Sequence, residues 1–454
     1  MWFFVEAGLP WSRCFVLSGM CEMALNFTRW LWLAGLLMLL CRPAQAAGVA
    51  ELLTLVMEGH PSLQSQSRLV DGAQAELRGA NWQFYPTPSV STEQVNAARN
   101  DALYSKDGRV TTFRLQQPVW TGGRLSAGVS RAEAAVAAAQ AQVEESRQTL
   151  ALRALQTWGE WKLGEQKVQI QREVLQAHEQ LRDLIRRRVE AGLSAEADEV
   201  LAQSRLEQVR ADLAGAQAQL AAALARFEQL AGQRLEPARL ASFVVPPRPV
   251  RDELPALLER AWRHSPTALK LQAQMKQQDM ELQLRKAQLM PEVYVRAEHQ
   301  QGSYSATGAS SGNRLFLGLS FSPGAGLSAT AGIDAVLARQ QAMQAEMEVS
   351  RRSLNEQVSV EQIQLLSLEA RERSLRAGLG WTQAMVDSWA RQFRNGRKTW
   401  VEVMNAAREL AQAQAALADA EVGQRVAQWR LAVLAEGLPA VLAAVPASAQ
   451  SARP

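Results

Sequence analysis

The chain has 454 residues, with 49 Lys and Arg against 45 Asp and Glu for a formal charge of +4, and it contains three cysteines and four histidines. That length admits two or three ordinary domains. Arg186, Arg187 and Arg188 form the only dense basic run, among residues of both signs, so they read as a solvated helix face, and no nucleic-acid partner is expected.

Arg29 precedes the apolar run WLWLAGLLMLL (30–40), and PAQA (43–46) ends in an Ala-x-Ala pattern. The run is too short for a comfortable membrane span, so 1–46 reads as a secretory signal cleaved after Ala46. Met23 is a second candidate start, from which Arg29 falls in an ordinary n-region. Cys41 is a candidate lipidation site, but Leu40 stands before it where a small residue is usual. Cys14, Cys21 and Cys41 all lie in this leader, which leaves the predicted mature chain without disulfides or thiol chemistry. No later apolar run has membrane-helix length, so a mature chain held in a membrane must be held as a β-barrel.

A first repeat is predicted over 47–243: a helix, two strands, then a long helical pair. The strand near PSVSTEQV (88–95) is weakly patterned. After the polar tip RNDALYSKDG (99–108), RVTTFRLQQPV (109–119) alternates, with Phe113 and Leu115 on one face and Thr112, Arg114 and Gln116 on the other. From Leu125, small and apolar residues step by four and three through Val129, Ala132, Val136, Ala139, Val143, Ser146 and Leu150, the seven-residue seam of coiled-coil packing. Arg124–Glu190 would be about 100 Å long as one helix at 1.5 Å per residue. AGLSAEAD (191–198) reads as a turn, with Gly192 in left-handed backbone and Ser194 as N-cap of the returning helix. That helix continues the seam through Leu206, Val209, Leu213, Ala216, Leu220, Ala223, Phe227 and Leu230.

The Pro-rich linker VVPPRPVRDELP (244–255) leads to a second repeat over 256–437. EVYVRAEH (292–299) sets Val293, Val295 and Ala297 against Tyr294, Arg296 and Glu298. Beyond the tip QGSYSATGASSGN (301–313), Leu315, Leu317, Leu319 and Phe321 share a face. The next long helix has an imperfect seam, Val358, Glu361, Leu365, Leu368, Glu372, Leu375 and Leu379, with acids at two positions. FRNGRKTW (393–400) is its turn, with Gly396 reversing the chain and Thr399 as N-cap. Residues 438–454 read as a frayed tail. Pro61, Pro86, Pro118 and Gly232 recur as Pro266, Pro291, Pro323 and Gly437, each 205 residues later, which marks an internal duplication.

Four amphipathic strands cannot close a barrel, because the smallest membrane barrels need about eight. If these are membrane strands, the chain must oligomerise, each protomer adding four staves, and the long hairpins then project into the periplasm. Trp120 fits an interfacial belt at the membrane surface, and fits equally well as a packing residue at a strand–helix junction.

Across its mature length the chain resembles the TolC-like outer-membrane channel family. The resemblance is carried by QQPVWTGGR (116–124), AGLSAEADEVLAQSRLEQVRADLAGAQAQL (191–220) and NGRKTWVEVMNAARELAQAQAALADAE (395–421). It implies a mixed α+β membrane protein: a homotrimer whose 12-stranded β-barrel sits in outer-membrane lipid of a Gram-negative bacterium and continues into a periplasmic α-helical barrel. Such a duct is passive and docks to a periplasmic adaptor (membrane fusion) protein and an inner-membrane pump. The turn GRKTWVEVMNAAREL is most similar to outer-membrane subunits of type I secretion systems, which implies protein cargo such as large adhesins or toxins and an ABC exporter as partner. The alternative is a tripartite efflux pump for small molecules, driven by a proton-driven antiporter.

The resemblance also implies roles at the two turns. Gly192, Leu193, Ser194, Gly396 and Arg397 form the tip that docks the adaptor. Glu402 matches a pore-lining acid and Asn405 matches a second one, so a trimer has one ring of three carboxylates in place of two rings. Asp198 and Lys398 match positions that latch neighbouring hairpins, and Phe393 stands where an aromatic hydroxyl is expected. A periplasmic coiled-coil scaffold would account for the heptads but not for the alternating strands. Enzymatic activity, cofactors and metal sites are not expected. His60, His178, His264 and His299 are scattered, and neither a phosphate loop nor a nucleophile elbow is present.

Overall fold

The computed structural model describes residues 48–95, 108–243, 245, 248, 252–303, 311–322 and 328–443. The predicted signal, both strand tips for the most part, most of the linker and the end of the tail lie outside the described residues. The elements are α1 (Val49–Met57), α2 (Pro61–Trp82), β1 (Thr87–Val95), β2 (Gly108–Trp120), α3 (Arg124–Glu190), α4 (Glu196–Ala231) and α5 (Pro237–Ser242), followed by α6 (Leu254–His264), α7 (Pro266–Ala287), β3 (Glu292–Gln301), β4 (Ser311–Ser320), α8 (Ser328–Arg394), α9 (Trp400–Glu436) and α10 (Leu438–Ala443). The described chain is predominantly helical, with one four-stranded sheet.

Proline divides the segment before each strand pair into two helices, because its ring suits the first helical turn and interrupts any helix it follows. His60 is the N-cap of α2, its Nδ1 accepting the Ser62 N–H at 3.2 Å. In the second half Ser265 caps α7, its Oγ accepting from Ala268 N at 3.3 Å, and His264 is instead the last residue of α6. The tail differs from expectation at its start. Leu438–Ala443 is helical and buries Leu438 and Val441, because these two apolar residues have a surface to cover.

The helix predicted over Arg124–Glu190 is unbroken for 67 residues, and α8 has the same length. No helix of this length buries a whole face. α3 packs on α2, α4, α7 and α9, and its buried residues include five Ala and two Gly, with Trp158 and Trp161 among them. A Cβ on Gly159 would stand 2.6 Å from Val426 Cγ2, so glycine is what admits α9 to this surface. The predicted seam of α4 is buried at Leu206, Val209, Ala223, Phe227 and Leu230. The seam of α8 is buried at Val358 and Leu365, which join Leu257 and Ala261 of α6 and Leu431 and Leu434 of α9. Its two acids have partners. Arg430 of α9 donates to Glu361 at 2.7 Å, and Arg376 lies 2.7 Å from both Glu372 and Glu421.

The sheet runs β1-β2-β3-β4, antiparallel throughout, and the β2–β3 pair joins the two halves of the chain. One face carries Val90, Phe113, Leu115, Leu315, Leu317 and Leu319, and the three leucines of β4 are 69–79% exposed. The opposite face is polar: Arg114 Nε donates to Glu298 Oε1 at 2.7 Å. Gly318 lies under Tyr294, where a Cβ would sit 2.3 Å from the ring. Among the described residues, β1 and β4 each have one edge without a strand partner.

Two outcomes follow from the packing. Gly159→Val should destabilise the protein by about 1–3 kcal/mol through overpacking against Val426, read as a lower unfolding temperature in detergent. The buried His178 donates Nδ1–H to the Val174 carbonyl at 2.9 Å, and burial lowers its pKa from 6.5. The unfolded imidazole therefore takes up a proton before the folded one. Its contribution to stability is intact above about pH 6.5 and falls away below it. His178→Gln should reduce the loss of stability between neutral and mildly acidic pH, measured by denaturant unfolding.

Candidate functional site

The two long hairpins end in turns built on one backbone plan. Gly192 (φ 69°) and Gly396 (φ 72°) take the left-handed conformation that ends each helix. In the first turn Gly192 N donates to Val189 O at 2.9 Å and Leu193 N to Arg188 O at 2.8 Å. In the second, Gly396 N donates to Phe393 O at 3.0 Å and Arg397 N to Gln392 O at 2.9 Å. Both are Schellman closures, which satisfy the last carbonyls of a helix and favour glycine at this position. Leu193 and Arg397 are exposed beyond them.

The returning helices start differently. Thr399 caps α9 within a full capping box: Glu402 N donates to Thr399 Oγ1 at 3.3 Å, and Thr399 N donates to Glu402 Oε2 at 2.9 Å. Lys398 Nζ donates to Glu402 Oε1 at 2.6 Å. The Lys398 bond first, then the backbone and hydroxyl of Thr399, lower the Glu402 pKa from 4.5 to about 2. In the first turn the cap position is Ala195, which has no side-chain acceptor, and the predicted cap Ser194 stands one residue too early. Superposing Gly192 on Gly396 places Ala195 on Thr399 and Asp198 on Glu402. With no hydroxyl to complete a box at its own helix start, Asp198 accepts the indole N–H of Trp400 at 3.0 Å.

That bond crosses from one hairpin to the other, above an apolar cluster formed by Ile185, Ala202, Phe393, Trp400, Val403 and Met404. Phe393 is buried there, with the Arg188 guanidinium 5.4 Å from its ring centre, so cation–π contact stands in the place of a phenolic hydrogen bond. Lys398 Nζ lies 4.5 Å from the ring centre of Trp389. The expected pairing of Asp198 with Lys398 is therefore not made within the chain, since Trp400 occupies the acid and Glu402 the ammonium group. Glu402 has both carboxylate oxygens engaged, and Asn405, one turn further on, is exposed.

Sequence reasoning placed Trp400 in the second turn without a role, and did not assign Trp389 or Arg188 to the tip. The Thr399-x-x-Glu402 spacing is itself a capping-box signature. At the opposite end of the helices, where the sheet begins, Trp120 is 48% exposed, and Trp82, Phe84 and Tyr85 are exposed beside β1. The Trp82 and Tyr85 rings lie 5.1 Å apart, tilted by 48°. Trp82, Phe84 and Tyr85 precede β1 at the end of the sheet where Trp120 ends β2. Among the described residues no group of three or more His, Cys, Asp or Glu could hold a metal ion, and no helix is long and apolar enough to cross a membrane.

A family model described as "Outer membrane efflux protein" matches residues 52–233 and 257–436. The fold is similar to the outer-membrane channel OprN (TM-score 0.74, 18% identity, covering 86% of this chain and 90% of that one). It is similar to the outer membrane protein VceC of Vibrio cholerae (TM-score 0.72, 17% identity, 86% and 96% covered). It is also similar to the open state of the outer membrane channel MtrE of Neisseria gonorrhoeae (TM-score 0.71, 14% identity, 86% and 89% covered). No curated protein sequence matches the chain.

The capping box has a pH signature. With the folded Glu402 pKa depressed, the carboxylate's stabilisation is present above about pH 4.5 and is lost as pH falls toward 2. Thr399→Ala should cost about 1 kcal/mol at neutral pH, and the acid-side loss of stability should become shallower, both read from unfolding midpoints between pH 7 and 2.

Proposed function

The chain belongs to the outer membrane efflux protein family, and we propose that three copies assemble into a passive duct through which an inner-membrane transporter exports cargo. Proteins of this family are outer-membrane channels with a periplasmic helical barrel, and they work with adaptors and inner-membrane transporters. The observation that carries the proposal is the sheet: four strands with an exposed leucine face and an open edge on either side. In hydrocarbon an open edge leaves backbone groups unpaired, and three such sheets joined edge to edge remove it. The exposed aromatics at the sheet base then lie at the lipid–water boundary.

We propose protein export through a type I system as the specific role, on the strength of the turn GRKTWVEVMNAAREL. The second reading, small-molecule efflux, is favoured by the family description. Cross-linked complexes isolated from native membranes discriminate between them. Recovery of an ABC exporter supports secretion, and recovery of a proton-driven antiporter overturns it in favour of efflux.

The tip is the proposed gate, with Glu402 and Asn405 at the constriction and Asp198 in its latch. The partner of Asp198 in this proposal is Trp400, whose indole it holds across the hairpins. Glu402 brings its charge to the pore already paired with Lys398, so the ring is electrically lighter than three bare carboxylates. Reconstituted in planar bilayers, Glu402→Gln should lower cation preference, since it leaves Lys398 unpaired. Asp198→Ala should raise resting conductance. Unchanged selectivity in the first variant removes Glu402 from the constriction, and unchanged conductance in the second removes Asp198 from the latch.

A further inference from the structure

The polar face of the sheet carries an uneven charge distribution. Ser89, Arg114, Glu298 and Arg314 are register partners in one row across all four strands. The adjacent row toward the helices is Thr87, Gln116, Arg296 and Phe316. Two successive rows on one face are about 7 Å apart along a strand. Within that band three guanidinium groups face one carboxylate. Arg114 Nε and Arg296 Nε both reach Glu298 Oε1, at 2.7 and 3.0 Å. Arg314 is bonded to a neutral acceptor, Gln300 Oε1, at 2.8 Å. The Arg296 guanidinium carbon is 4.6 Å from the Phe316 ring centre and 5.8 Å from that of Tyr294, which holds its planar fork in place. The remaining strand acids of this face lie outside the band: Glu292 at the sheet base pairs with Arg124, and Glu93 stands two rows from Arg114 toward the strand tips.

If the leucine face meets lipid, this face lines the lumen. A closed sheet of 12 strands is roughly 24 Å across between backbones, from strand spacing and tilt. Long side chains therefore project into a water-filled bore. Three copies of the band place nine guanidinium groups against three carboxylates in a ring. A guanidinium fork matches the paired oxygens of carboxylate and phosphate.

We propose that Arg114, Arg296 and Arg314 form a guanidinium belt in the barrel lumen that binds solutes bearing carboxylate or phosphate groups as they leave. The proposal rests on the reading of the chain as a trimeric duct, and it adds a filter at the barrel distinct from the hairpin tip. The test is conductance of the full-length protein in planar bilayers with citrate added on the strand-tip side. The expected result is concentration-dependent block of open-channel current, stronger from that side than from the helix side. The variant Arg114→Gln/Arg296→Gln/Arg314→Gln should weaken the block about tenfold, as expected for loss of a charged ring. If that variant does not assemble, Arg314→Gln alone, which leaves the Glu298 pairs in place, should weaken it about threefold. Wild-type channels that conduct but ignore citrate overturn the belt and leave the duct standing, as does equal block in wild type and variant. Absence of conductance steps in every preparation refutes the duct, and the belt with it.

Discussion

A β-strand's backbone has donors and acceptors on both edges, and hydrocarbon offers neither water nor any other partner for them. This chain presents a sheet whose apolar face is exposed and whose outer strands, β1 and β4, are each paired on one side only. Much of the remaining architecture is consistent with that constraint. The β2–β3 pairing draws strands from both halves of the chain into one continuous sheet, so the chain contributes a single stave group with two edges and not two groups with four. β1 and β3 begin, and β2 and β4 end, at the same end of the sheet. The proposed trimer converts the two outer edges of each four-stranded sheet into the seams of a closed 12-stranded barrel.

The helices answer a different requirement. A helix of 67 residues needs contact along its length, and α3 meets it with contacts to several neighbouring helices. Small residues at these contacts let backbones approach, and the large side chains Trp158, Trp161 and Phe227 fill the remaining space. The charges on the seam of α8 follow the same logic. Glu361 is tolerated because Arg430 comes from α9 to meet it, with the acid side chain only 13% exposed. Removing either partner would leave the other charge largely desolvated, which is costlier than never having the pair.

Much of this was legible in the sequence because it is periodic. Alternation at period two gave the strand faces, steps of three and four gave the seams, and glycine in the turns gave the left-handed positions, each a local rule acting on neighbouring residues. The misses involve either one-residue register or distant partners. Ser194 and Ala195 differ by one position, and only the observed helix start assigns the cap to Ala195. The tie from Trp400 to Asp198 spans 202 residues, and no periodicity encodes it. Within one chain Asp198 and Lys398 do not meet, because each has a nearer partner, an indole for one and a carboxylate one helical turn away for the other. Residues 438–443 looked frayed by composition, but Leu438 and Val441 have a core to join.

The difference between Ala195 and Thr399 has a consequence for how the two hairpins depend on each other. The turns are repeats of one design, and the acid at the third helical position occurs in both. Where a hydroxyl precedes it, that acid serves its own helix. Where a methyl precedes it, the acid is free to bind the other hairpin. An acceptor oxygen at the cap position, present in Thr399 and absent from Ala195, thus separates self-sufficiency from cross-linking. The value of the Trp400 indole to the fold is conditional on what residue 195 lacks.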